Sequence, residues 1–501
     1  MTRAPRQAIA LAVLAGCTVG PAYHVPTAPV PGAPGYKEAA GAGPWRAARP
    51  SDAMLRGAWW RVFGEPELDA LETQLRAGNQ AIAQAVANLD AARAQIRAAQ
   101  AAYYPTLTAA PSGVTGRSSG GTGAGLASSA GTAGAAGTTG TPGAIAGSGG
   151  AGGRFTTYSL PIDASWAPDL FGRVRNAVRQ ARSGAQASAA DLAGQELLAQ
   201  ATLAATYFQL RGQDALQDVL DATVAADDRI LGLARARYET GVDTEVAVVQ
   251  AEQAVQAARV QATSAGILRA QYEHAIATLI GRPATAFSLP RRARLAAPPA
   301  IPTGAPSQLL ERRPDIAAAE RRMAAANAAI GVGHAAYYPD LTLSGAAGLA
   351  STAVSSLLAW PSRFWSLGAT VSQLVFDGGA RRAAIDQAVA GYDAAVAAYR
   401  QAVLAGFQQV EDALAQTRIL AQEIEQQRRA VALAECAVGL EQARYESGID
   451  PYIDLMQEQA LLLAARQALI GLQVQHMTSA VALVEALGGG WQRSELSAHP
   501  M

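Results

Sequence analysis

Asp450 and Asp454 lie four residues apart, a spacing that sets two carboxylates on one face of a helix. Copies of Asp454 gathered around a symmetry axis would make a negative ring, attractive to cations and repulsive to itself. Other arrangements that could do chemistry fail on context. Gly116-Arg117-Ser118-Ser119-Gly120 fits a nucleophile-elbow pattern, and Gly147-Ser148-Gly149-Gly150-Ala151-Gly152 fits a dinucleotide fingerprint. Both fall in a low-complexity tract without the strand and helix that such sites require. His24, His274, His334, His476 and His499 are scattered, with no metal-ligand spacing. The residues predict no enzyme, no metal and no cofactor. Cys436 sits alone in an apolar helical stretch, where a small buried hydrophobe is expected.

Composition sets the frame for these residues. Lys+Arg and Asp+Glu both total 40 in 501 residues, which excludes a basic nucleic-acid footprint. Half the chain is apolar, yet aromatics reach only 6% and charged residues 16%. No apolar run reaches the roughly 18–20 residues of a membrane-spanning helix. Residues 1–16 read as a short secretory signal with Arg3 and Arg6 before an apolar stretch. Leu14-Ala15-Gly16-Cys17 resembles a lipobox, in which Cys17 becomes a lipidated N-terminus carrying the chain's only expected covalent group.

The chain contains two copies of one pattern. Tyr103-Tyr104-Pro105 recurs as Tyr337-Tyr338-Pro339, and Arg237-Tyr238-Glu239-Thr240-Gly241-Val242-Asp243 as Arg444-Tyr445-Glu446-Ser447-Gly448-Ile449-Asp450. The expected organisation is a lipid-anchored arm over 17–65, a first repeat over 66–281, a Pro-rich linker over 282–306, a second repeat over 307–487 and a tail over 488–501. Each repeat predicts a first helix, two strands, a long helix (174–239 and 381–446), a tip turn and a second long helix (243–280 and 450–487). A Gly-rich loop over 116–153 separates the strands of the first copy. In the turns, Gly241 and Gly448 supply a permissive φ, Asp243 and Asp450 are expected to cap the following helices, and Val242 and Ile449 are exposed contact candidates.

Tyr158, Leu160, Ile162, Ala164 and Trp166 alternate with polar neighbours, as do Trp365, Leu367, Ala369 and Val371 in the second copy. Each segment has about the length of a tilted transmembrane strand. Four strands per chain leave open edges that lipid does not tolerate, so the chain is expected to oligomerise. Three chains make a barrel wide enough for a pore.

These features together resemble the outer-membrane efflux duct family, the TolC-like proteins, and specifically the lipoprotein branch serving resistance-nodulation-division pumps. Three further matches carry the resemblance: Cys17-Thr18-Val19-Gly20-Pro21-Ala22-Tyr23, Trp59-Trp60-Arg61-Val62-Phe63-Gly64-Glu65-Pro66-Glu67-Leu68, and Phe376-Asp377-Gly378-Gly379. The resemblance implies a mainly α fold that, as a homotrimer, builds a twelve-stranded outer-membrane barrel continued by a periplasmic α-barrel. It implies partners, a periplasmic adaptor docking at the helix tips and an inner-membrane pump, and an exit duct for drugs or other small molecules. It also makes Asp454 a gate carboxylate and Tyr445 a latch at the tip. Two departures stand out: Asp450 replaces an arginine, and Val248 replaces the acidic partner of the tyrosine, leaving Glu245 or Arg444 as substitutes. Two other functions fit the same sequence, a duct for type I protein secretion and a non-conducting coiled-coil lipoprotein.

Overall fold

The computed structural model describes residues 19–29, 36–38, 57–117, 154–292, 295–299, 301 and 312–491. Cys17, the signal stretch, most of the Gly-rich tract and most of the C-terminal tail lie outside the described residues. The helices are α1 (Pro66–Gly78), α2 (Gln80–Ala101), α3 (Arg173–Glu239), α4 (Glu245–Leu279), α5 (Pro314–Ala335), α6 (Ala380–Glu446) and α7 (Tyr452–Ala486). The strands are β1 (Thr106–Ala109), β2 (Ser112–Arg117), β3 (Arg154–Trp166), β4 (Asp340–Ser351) and β5 (Arg363–Ser372). The long helices of the two halves match in length, 67 residues for α3 and α6 and 35 for α4 and α7. A helix of 67 residues rises about 100 Å. No helix among the described residues is long and apolar enough to cross a membrane.

The chain divides into two compact units. One holds the sheet and the helix segments adjoining it, residues 94–182 and 324–393. Its strands are antiparallel in the order β1-β3-β4-β5, with β2 also paired to β3. The opening strand of the first copy is therefore interrupted at Ala110-Pro111, because proline has no N–H for the ladder. Gly116 and Arg117, expected in the loop, belong to β2. Pro161 in the central strand faces Gly348, and a Cβ at 348 would stand 2.3 Å from the Leu160 carbonyl oxygen. Only glycine allows that approach.

Register places every residue of the predicted alternation on one face. Leu107 and Ala109 stand beside Ala164 and Ile162, which stand beside Gly345 and Ala347, which stand beside Leu367 and Trp365. Tyr158, Leu160, Trp166, Leu343, Leu349 and Val371 complete that face. Trp365 is 76% and Leu367 81% exposed. The opposite face carries Thr108, Ser159, Asp163, Ser165, Thr342, Ser344, Ser366, Thr370 and Ser372. Phe155 and Phe364, aromatics near the strand ends, point to this polar side. Each strand-to-helix corner is closed by an aspartate: Asp169 accepts from the Val174 and Arg175 amides at 3.1 and 2.9 Å, and Asp377 from the Gly379 and Arg381 amides at 3.0 and 3.1 Å. These carboxylates satisfy some of the orphan donors at the starts of α3 and α6.

The second unit is helical and holds the main core. Trp59, Trp60 and Phe63 form a one-turn plug against Leu68, Leu71 and Leu75 of α1, Leu203, Tyr207 and Leu210 of α3, and Met477, Val481 and Val484 of α7. The Trp59 indole donates to Gln200 at 3.0 Å and Trp60 to Asp69 at 2.8 Å, so neither buried N–H is orphaned. Small residues let helices close up: a Cβ at Gly212 would stand 2.3 Å from Val474 of α7. Asp214, fully buried, accepts from Arg211 at 2.6 Å, Arg269 at 2.7 Å and the Arg292 amide at 3.0 Å, tying the linker onto α3 and α4. Cys436 is exposed on α6, contrary to the expectation of burial. A helix this long turns one face to a partner helix and leaves the other outward, and Cys436 falls on the outward face.

Candidate functional site

The tip turns follow from one local device used twice. Gly241 donates to the Tyr238 carbonyl at 2.9 Å and Val242 to the Arg237 carbonyl at 2.9 Å. Gly448 and Ile449 repeat both bonds to Tyr445 and Arg444 at 3.0 and 2.9 Å. This is the Schellman closure, with φ of +75° at Gly241 and +76° at Gly448. Val242 and Ile449, the residues just beyond, are exposed as expected.

The aspartates do not cap. The cap positions of α4 and α7 are Thr244 and Pro451, neither making a side-chain cap bond. Asp450 is instead ion-paired to Arg444 within its own turn. Asp243 takes Arg237 Nε at 2.9 Å in the equivalent pair, and its Oδ2 also accepts the Tyr445 hydroxyl at 2.8 Å. The tyrosine's partner is therefore Asp243 of the first tip, in place of the expected Glu245 or Arg444. A chain that reverses six residues after its arginine brings that arginine and the aspartate together, and the pair then faces the second tip.

Arg237 binds the second tip two ways and holds Asp243 of its own tip with a third contact. Its Nη1 donates to the Glu446 carbonyl at 3.1 Å, at the C-terminal end of α6, where positive charge is favoured. Its guanidinium lies 4.8 Å from the centre of the Tyr445 ring, and its Nε holds Asp243. The Arg–Tyr–x–x–Gly–x–Asp spacing, present in both copies, was the available signal for this cluster. Tyr445 is fully buried, and burial followed by its bond to Asp243 pushes the hydroxyl pKa up. Tyr452 packs edge-on against it at 5.8 Å, its own hydroxyl pushed up to about 12 by burial and then by Asp227. Ile230, Leu231, Ala247, Ala251, Val255 and Leu455 surround the pair.

Asp454 lies in the first turn of α7, half-buried, and belongs to an acidic group with Glu441 and Asp450 around Arg444. Desolvation, then Asp450 and Asp454, holds the Glu441 carboxyl above its usual range against the pull of Arg444. Asp227 of α3 is buried, accepts no hydrogen bond from the described residues, and is pushed up to about 6 by desolvation and then by Asp228. It lines a cavity of about 380 Å³ with Arg229, Gln442, Glu446, Gln459 and Arg466. No group of residues that could hold a metal ion occurs among the described residues. The arrangement can hold two helix ends together, open by breaking a small number of polar contacts, and present negative charge beside them.

The family model described as outer membrane efflux protein matches residues 71–282 and 305–489. The toluene efflux pump outer membrane protein TtgC of Pseudomonas putida is 31% identical over 494 residues, spanning 97% of this chain and 95% of that protein. A solved membrane protein from Pseudomonas aeruginosa is 29% identical with a TM-score of 0.81, over 95% of this chain and 98% of that one. The outer-membrane channel OprN is also 29% identical, with a TM-score of 0.80 over 95% of this chain and all of its own.

Proposed function

We propose, because this chain belongs to the outer membrane efflux protein family, that it forms the exit duct of a tripartite efflux pump as a homotrimer. Membership makes it a channel component of a tripartite export system in the outer membrane of a Gram-negative bacterium, extending into the periplasm. It is a conduit, without catalysis of its own. The observation that carries the proposal is the sheet: one face is apolar and exposed, the other polar, and its outer strands have free edges. Lipid accepts such a face, and closing the edges requires further copies. Three chains of four strand tracks give a twelve-stranded barrel with a lumen lined by the threonines, serines and Asp163 of the polar face.

The N-terminal arm supports the lipoprotein branch. Val19 donates to the Phe171 carbonyl at 3.3 Å, Asn176 donates to the Val19 carbonyl at 2.9 Å, and Gly20 passes so near Gly331 that a Cβ would clash at 2.8 Å. Val19 is thus held at the corner between β3 and α3, and two residues reach at most about 7 Å. The tip turns, with Val242 and Ile449 outward, are the proposed adaptor-docking surface, and Tyr445, Arg444, Asp450 and Asp454 belong to the proposed periplasmic gate.

Deleting the gene and restoring it on a plasmid tests the function. Antibiotic or solvent hypersensitivity, reversed by the plasmid, is the expected result. Normal susceptibility together with loss of a secreted protein would move the duct to protein secretion. Replacement of Cys17 by serine is expected to abolish palmitate labelling.

A further inference from the structure

We infer that the hairpin end of the apolar sheet face binds phosphorylated headgroups of the outer-leaflet lipid, with Arg117 and Arg154 at the centre of the site. The inference rests on the membrane reading above and adds a ligand to it. Residues 106–162 and 341–376, which contain both hairpins and their strands up to the helix-side ends, hold three arginines and no aspartate or glutamate. Arg117 and Arg154 are direct cross-strand partners, so their Cα atoms stand about 4.5–5.5 Å apart and their side chains leave the same face. Like charges so placed repel. Neither makes an ion pair with any described residue, and residues 118–153 between them contain no charged residue at all. Among the described residues nothing offsets that repulsion.

Position identifies the partner. Strand alternation puts Arg154 on the face of Tyr158, Leu160, Ile162 and Trp166. The helices join the sheet at the Trp166 end, so the arginines stand at the opposite, hairpin end. From Trp166 to Tyr158 is about 27 Å along the strand, or roughly 20 Å of membrane depth at a tilt near 40°. Arg154 lies about 10 Å farther out, where the hydrocarbon gives way to headgroups. A lipid-face arginine costs little at that level and much at the midplane. Two adjacent guanidinium forks match phosphate oxygens bidentately, and Tyr158 and Leu160 below them offer acyl chains an apolar surface.

The test uses the full-length protein in phosphatidylcholine vesicles, titrated with diphosphorylated lipid A, its dephosphorylated form, or inorganic phosphate, with binding read by native mass spectrometry. Wild type, R117Q/R154Q and R117K/R154K are compared. At about fivefold per arginine, the glutamine pair is expected to bind the phosphorylated lipid about 25-fold more weakly, and the lysine pair to retain most of the affinity. Dephosphorylated lipid and millimolar phosphate are expected to bind poorly to all three. Equal affinity of wild type and the glutamine pair overturns the inference. So does equal binding of the dephosphorylated lipid, or competition by free phosphate at lipid-like concentrations. Flotation with the same vesicles separates the premise: if wild type and variants float but do not differ in binding, only the headgroup site falls, whereas failure of all to float removes the membrane reading and the site with it.

Discussion

Tyr238 and Tyr445 hold equivalent places in the two repeats, yet Tyr238 is 47% exposed and Tyr445 fully buried. The difference comes from Arg237 and Asp243, which direct their contacts to the second tip, while Arg444 and Asp450 pair only within their own turn. Tyr445→Phe removes one buried hydroxyl and its bond to a charged acceptor, worth about 1.5–3 kcal/mol. It is expected to raise basal conductance in planar bilayers several-fold, and an unchanged conductance would free Tyr445 from the gate. Asp227 gives a pH prediction. Its folded pKa of about 6 lies above its ordinary 3.8, so the native state binds the extra proton between those values. Its contribution to stability is full below about pH 4 and lost as pH rises through 6. Arg229, Arg466, Glu446, Asp228 and Tyr452 face or adjoin it. Asp227→Asn is therefore expected to stabilise the protein at pH 7 by on the order of 1–2 kcal/mol and to be neutral at pH 4, read from thermal midpoints at both values.

At the scale of elements, the linker following α4 is held by charge. Arg211 is nearly buried, and besides Asp214 it has Glu67 and the Pro290 carbonyl; Arg269 reaches Asp214, Glu273 and the Leu289 carbonyl. Removing Asp214 leaves two guanidinium groups short of their shared carboxylate in a site closed to water. Asp214→Ala is expected to cost about 3–5 kcal/mol in chemical denaturation and to open residues 282–292 to limited proteolysis. A change below about 1 kcal/mol would show the cluster to be solvated in practice. The sheet depends on a different constraint, the approach of Gly348 to Pro161, which any side chain obstructs.

For the whole molecule, the proposed trimer is the level at which Asp454 acquires a function. One half-buried carboxylate beside Arg444 is an ordinary helix-terminal acid, while three around an axis form a ring. Asp454→Ala is expected to lower cation preference in planar bilayers, and unchanged selectivity would remove it from the entrance. Negative-stain microscopy of the detergent-extracted protein, with symmetry tested rather than imposed, is expected to show a hollow three-fold particle. Monomers or solid rods under gentle extraction would break the barrel proposal.

Periodicity and repetition in the sequence were enough to determine the repeat order of long helices and strands, the apolar strand face and the two glycine turns, but not the split of the first copy's opening strand. Those features depend on local φ preferences, on a period of two or 3.6, and on residues close along the chain. The long-helix limits moved by one or two residues, and α4 and α7 begin two residues later than the repeat motif suggested, since Asp243 and Asp450 serve ion pairs instead of caps. Tertiary structure alone decided the partner of Tyr445, the exposure of Cys436, the burial of Asp227 and the pairing of Arg117 with Arg154. Each depends on which helix or strand a residue meets, often after hundreds of intervening positions. An aspartate reads the same along the chain whether it caps a helix, holds an arginine or accepts a tyrosine. Distance and burial choose among them, because the neighbour that removes water determines which contact forms.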